Sequence, residues 1–203
     1  MTQNIYQAPQ IKSSFCLNNL GETLYASILL LRPVNVFELG TLGGYSTVCI
    51  LQALRRLGQK SALYSYDLFD RYPFNHVTLE EYNLNLHAHS SSFESQLVSH
   101  YVEQRDILGT INELGDKILI SEFPLVFVDI SNTAEIIESI IFSTKRQVPI
   151  LFEGGTEERD NVSWVRAHNK QPLSLLKRRG ISYQVIDHSF PGISLFLPDS
   201  YPT

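Results

Sequence analysis

Short apolar runs rich in β-branched and aromatic residues alternate along this chain with longer stretches whose apolar positions recur every three or four residues. The runs at 34–39, 62–66, 100–104, 125–128, 148–152, 181–186 and 193–197 have the length and composition of strands. The amphipathic stretches predict helices over 45–57 and 78–97, a short one reaching Leu114, and others over 133–144 and 161–179. Gly58 and Gly180 stand at helix ends, where a left-handed cap favours glycine. Near-continuous apolar strands separated by helices predict a parallel sheet covered on both faces. Only the Pro191-Gly192 turn separates the last two runs, so they are expected to pair as an antiparallel hairpin. With right-handed crossovers the pattern predicts a doubly wound α/β sheet of seven strands, mostly parallel, with the C-terminal hairpin at one edge. Residues 1–32 read as a helical lead-in and lid, and 33–203 as the main part of a single domain.

Charge and composition then remove several partners. The chain's 203 residues suffice for one well-filled core. Its net charge of −5, from 16 basic and 21 acidic residues, argues against a nucleic-acid partner, which calls for a basic surface. The dense basic cluster Lys177-Arg178-Arg179 precedes Gly180, where cations suit a helix C-terminus. The polar N-terminus lacks a secretory core, and the apolar run at 26–31 is too short to cross a bilayer. No membrane partner and a cytoplasmic location are therefore expected. Cys16 and Cys49 lie in apolar patterns and read as buried free thiols. An exposed hairpin edge makes a homodimer plausible.

The chemistry concentrates after the first strand, in Glu38-Leu39-Gly40-Thr41-Leu42-Gly43-Gly44-Tyr45-Ser46-Thr47. An acid at a strand end is followed by a turn with three glycines and the start of a helix. Glycines let a backbone bend sharply and approach a ligand, and a helix N-terminus offers unpaired N–H groups to an anion. The spacing G-x-x-G-G departs from the G-x-G-x-x-G of a pyrophosphate site. Glu38 would repel a pyrophosphate, whereas it would accept a hydrogen bond from an ammonium group. The segment resembles the first motif of the class I S-adenosylmethionine-dependent methyltransferases, in the form E-x-G-x-x-x-G-x-S. It is most similar to the small O-methyltransferase-like and cephalosporin-hydroxylase-like members. The resemblance implies a Rossmann-like fold, S-adenosylmethionine as cofactor, and methyl transfer to an oxygen of a small-molecule acceptor. It places Glu38, Gly40, Thr41, Gly43, Tyr45 and Ser46 around the cofactor.

Open parallel sheets bind ligands beyond the carboxyl ends of their strands, so the residues there complete the expectation. Asp67 and Leu68 follow the second strand. Asp67 resembles the family acid that accepts two hydrogen bonds from a ribose diol, or else it caps the loop. Asp106, after the third strand, either faces the adenine amino group or caps a helix. Asp129 follows the fourth strand, beside the methyl group in the resemblance, and Glu153 the fifth. These two are the catalytic or substrate-orienting candidates. Some family members hold a divalent metal near Asp129, but here Ile130, Ser131 and Asn132 replace their further ligands. Asp160 or Asn161 would join a metal site only if the Gly154-Gly155 loop folds back, so no metal ligand is assigned. His76, His87, His89, His168 and His188 read as surface or packing residues, and Trp164 as a wall of a substrate cavity. Two rival readings remain at this stage: a protein that binds S-adenosylmethionine or a nucleoside without methyl transfer, and a non-catalytic interaction module.

Overall fold

A computed structural model describes residues 6–73, 75–130, 133–167 and 172–198, apart from the side chains of Leu17, Trp164, Pro172 and Leu173. These residues form one sheet from β1 (Asn35–Leu39), β2 (Ser61–Asp67), β3 (Val98–Gln104), β4 (Pro124–Val128), β5 (Ile150–Glu153), β6 (Gln184–Asp187) and β7 (Ile193–Phe196). Their order is β3-β2-β1-β4-β5-β7-β6. Pairs among β1 to β5 are parallel, and β7 runs antiparallel to both β5 and β6. The Rossmann-like doubly wound sheet with a C-terminal antiparallel hairpin is the architecture the residue pattern predicts.

Strict alternation along the strands sorts side chains between two layers. Val36, Leu63, Leu125 and Phe127 pack with α1 (Leu20–Leu31), α2 (Tyr45–Leu57) and α3 (Leu79–Phe93). Phe37, Leu39, Val126 and Val128 pack on the other face with α4 (Ile111–Leu119) and α5 (Thr133–Ser143). On that second face Phe37, Tyr64 and Tyr101 occupy paired register positions on β1, β2 and β3. Their rings stack at centroid spacings of 5.1 and 5.2 Å, and the Lys117 ammonium lies 4.2 Å above the Tyr64 ring. Such contacts add to burial the attraction of a cation for a ring face.

Local signals explain most boundaries. Gly58 takes the left-handed conformation that ends α2, and Thr78 with Glu81 forms a reciprocal capping box at the start of α3. α3 stops at Phe93, earlier than the periodicity suggests, after Ser90, Ser91 and Ser92, whose hydroxyls compete for backbone partners. Where one helix is expected over 161–179, the described residues form α7 (Ser163–Ala167) and α8 (Pro172–Arg178), and a short α6 (Glu157–Asp160) precedes them.

The lead-in contains α1 and a strap before it. Gln7 and Gln52 exchange hydrogen bonds of 3.0 and 2.9 Å, tying the strap along α2. The Gln10 N–H donates to Nε2 of His89 on α3 at 3.0 Å. Asn18 donates through its side chain to the carbonyl of Phe190, before β7. Cys49 is buried as expected, and burial pushes its thiol up to about 12. Cys16 corrects the sequence reading: the strap runs across the surface and leaves this thiol exposed.

Candidate cofactor and active site

The strand order reverses between β1 and β4, so their carboxyl ends flank the crevice where open α/β sheets bind ligands. Gly40 follows β1 at φ +91°, and its N–H donates to the carbonyl of Tyr66 at 2.9 Å. A Cβ built on Gly40 would lie 2.1 Å from both the Asp129 carbonyl oxygen and Cγ2 of Ile130. Glycine is required here because the end of β4 packs directly on the turn, a reason different from approach to a ligand. Gly44 also has a positive φ, of 93°, and a Cβ on it would meet the Tyr82 ring at 3.2 Å.

Alternation sends Glu38 to the same side as Val36, beneath the first turn of α2, and leaves it 0 % exposed. Ser46 Oγ donates to its Oε1 at 2.6 Å, while Thr47 Oγ1 and Ser65 Oγ donate to Oε2 at 2.8 and 2.7 Å. Burial pushes its carboxyl up to about 7, although the three hydroxyl donors pull the other way. A second ring of contacts surrounds these donors. Ser65 spends its one proton on Glu38, so its 3.1 Å contact with Nε2 of His100 makes the imidazole the donor. Tyr82 donates to Thr47 Oγ1 at 3.3 Å. Burial lowers His100 to about 4, so the ring is neutral near pH 7. No sequence motif marks His100; its cross-strand parity with Leu63 and Ser65 is the signal that finds it.

Asp67 binds the turn itself. Its Oδ2 accepts from the N–H groups of Thr41 and Leu42 at 2.7 and 3.0 Å, and its Oδ1 from that of Phe69 at 2.7 Å. Thr41 is buried, Leu68 is half-buried, and Leu42 at the tip is 49 % exposed. α2 begins at Tyr45 with Gly44 as its N-cap and no side-chain cap bond, so nothing from a capping side chain covers its first-turn N–H groups. Gly43 lies under Ile11 of the strap, 3.2 Å from where its Cβ would be.

The remaining candidates separate. Asp129 lies half-buried after β4, and its carboxylate has no partner among the described residues. Glu153, at the end of β5, is buried in an ion pair with the buried Arg159. Asp106 is exposed and accepts from the Gly109 N–H at 3.2 Å, the capping geometry weighed above. His76, His87 and His188 are exposed. Ser131, Asn132, His168 and the Trp164 side chain lie outside the described residues. Among the described residues no three His, Cys, Asp or Glu side chains gather at one point, and no helix is long and apolar enough to cross a membrane.

A family described as a methyltransferase domain matches residues 37–156, from β1 through the loop after β5. This chain belongs to that family. No curated protein sequence matches the methyltransferase. Among solved structures it is similar to the cofactor-bound Rv0187 protein from MTB, with 19% identity, TM-score 0.62, and coverage of 95% of this chain and 84% of that one. It is similar to the O-methyltransferase TomG from Streptomyces achromogenes, solved with SAM, at 18% identity and TM-score 0.58, covering 98% and 83%. The Bacillus cereus O-methyltransferase, solved with SAH, shares 15% identity at TM-score 0.57, covering 94% and 84%. At these identities the likeness shows the shared fold. The matched residues include the Glu38 cluster, the glycine turn and both Asp67 and Asp129.

Proposed function

We propose that this methyltransferase uses S-adenosylmethionine to methylate an oxygen of a small-molecule acceptor. The observation that carries the reading is the turn from Gly40 to Gly44, pinned by Asp67 and opening onto the uncapped N-terminus of α2. Its chemistry fits the donor: first-turn N–H groups suit a carboxylate, Ser46 Oγ, its proton spent on Glu38, has a lone pair for the ammonium, and Asp67 has acceptor capacity for a ribose hydroxyl. Glu38 acts as a positioning residue, holding Ser46 and Thr47 in place from below. Tyr45 and Leu68 flank the site, and Asp106 borders its far end. The cofactor supplies an electrophilic methyl group on a sulfonium.

In this reading Asp129, whose carboxylate has no partner among the described residues, acts on the acceptor. It would take the acceptor's hydroxyl proton, leaving the oxygen free to attack the methyl that a bound donor would supply. Alignment of the acceptor behind the methyl supplies most of the acceleration in such a displacement. Glu153, neutralised by Arg159, helps wall the site rather than exchanging protons. The strap and α1 serve as its covering, and two unpaired cysteines suit a reducing cytoplasm. The O-methyltransferase neighbours solved with SAM or SAH support both the donor and the acceptor atom.

Calorimetry with S-adenosylmethionine and S-adenosylhomocysteine tests the proposal. Both should bind the wild-type protein, and Ser46→Ala should weaken each by about tenfold, about 1.4 kcal/mol. Asp129→Asn should keep that affinity and lower methyl transfer by roughly a hundredfold, within the range for loss of a general base. Failure of the wild-type protein to bind either compound would remove the reading. Binding without transfer to any hydroxyl compound would leave a cofactor binder.

A further inference from the structure

The strap, the start of α1 and Tyr45, the first residue of α2, line a half-open cavity of about 530 Å³. That volume is typical of small-molecule sites. Lys12 and Glu22 line it, and among the described residues neither makes an ion pair or side-chain hydrogen bond. Gln10 and Asn19 line it too. Asn19 stands at the N-cap of α1 but makes no side-chain cap bond, although asparagine is among the strongest capping residues. Its neighbour Asn18 takes the Leu20 N–H at 3.0 Å instead. One chamber therefore carries a cation, an anion and two carboxamides whose side chains make no polar contact among the described residues.

The chamber abuts the glycine turn. Tyr45 belongs to both, and Ile11 lies over Gly43. Gly40, at the other end of the turn, lies against Asp129. A ligand anchored in the chamber and reaching Asp129 must run alongside the donor held at the turn, with its charged groups at one end and its reacting group at the other.

Building on the methyltransferase reading above, we propose that this chamber seats the methyl acceptor, a zwitterion whose carboxylate meets Lys12, whose ammonium meets Glu22, and whose hydroxyl lies at its far end. L-Tyrosine has that layout. Opposite charges in one cavity select such a molecule over a singly charged analogue, because each analogue leaves one protein charge unmatched.

Cys16 lines the same cavity, is exposed and serves as the reporter. Cys49 is buried with its thiol pushed up to about 12, so it does not compete for a thiol reagent. With S-adenosylhomocysteine present, L-tyrosine should slow maleimide labelling of Cys16 by at least about fivefold, the protection expected at a few times its dissociation constant. Tyramine and hydroxyphenylpropionate, each carrying one of the two charges, should protect far less. Lys12→Glu and Glu22→Lys, both at exposed positions, should each abolish protection while the affinity for S-adenosylhomocysteine stays within about twofold. Absent protection by tyrosine, equal protection by all three compounds, or indifference to both charge reversals overturns the proposal. So does protection by S-adenosylhomocysteine alone where methylthioadenosine, lacking the amino-acid tail, gives none, since the chamber would then hold the donor. The methyltransferase reading fails separately, by absent calorimetric binding of S-adenosylhomocysteine.

Discussion

Glu38 and Glu153 both end a strand, both are buried, and the protein keeps each there by a different device. Three hydroxyls donate to Glu38, whereas a guanidinium pairs with Glu153. Hydroxyl donors solvate a carboxylate without supplying opposite charge, so desolvation still lifts Glu38 to about 7. A guanidinium supplies charge and direction together. The first arrangement is a titratable hub joining β1, α2 and β2; the second is a local clamp between β5 and α6. Burial alone therefore says little about what a strand-end acid does, and its donors decide.

The contrast breaks most sharply at Arg159. Replacing it with alanine strips the guanidinium from Glu153 and should lower stability by about 3–5 kcal/mol in urea unfolding, the cost of orphaning one member of a buried pair. A loss under about 1 kcal/mol would show that other contacts hold the clamp.

The next effect is a pH slope at the Glu38 hub. Its native carboxyl rises from the ordinary 4.5 to about 7, so the folded chain binds that proton more tightly. The stability it contributes is full below pH 4.5 and is lost as pH climbs through about 7. His100 has the opposite sign, lowered from 6.5 to about 4. Its contribution is full above pH 6.5 and is lost as pH falls toward 4. The two oppose each other across their overlap. Urea midpoints of Glu38→Gln should therefore fall on acidification from pH 6.5, relative to wild type, while those of His100→Phe should fall as pH rises toward 7. Parallel profiles in all three proteins would show that the network does not titrate.

Ser65→Ala sharpens the comparison with the smallest change. It removes one of the three donors to Glu38 and should lower stability by about 1–2 kcal/mol. It should also raise the hub's apparent pKa, visible as a shift of the alkaline loss of stability to higher pH. An unchanged pH profile would confine Ser65 to packing.

Much of this was legible in the residue pattern. The seven runs and their crossovers gave the sheet, since burial on both faces demands continuous apolar strands. The turn from Glu38 to Ser46 gave the candidate site. Period-two alternation could also have assigned Glu38 to the α2 face, because Val36 shares its parity. The partners of that carboxylate were less accessible: Ser65 reaches it, and His100 reaches Ser65, only through the register of β1 on β2 and β2 on β3. Nor does a local signal pair Glu153 with Arg159, which depends on how α6 turns back after two glycines at positive φ. The exposure of Cys16 likewise follows from the path of the strap, which no periodicity encodes.

Gly40 has one further mechanical consequence. With a carbonyl oxygen and a methyl group already filling the space beside it, even an alanine would wedge β1 away from β4. The floor of the crevice is thus a stiff seam that does not part. Entry and exit of small molecules fall to the outer wrapping, fastened at Gln52, His89 and Phe190 by a handful of polar stitches.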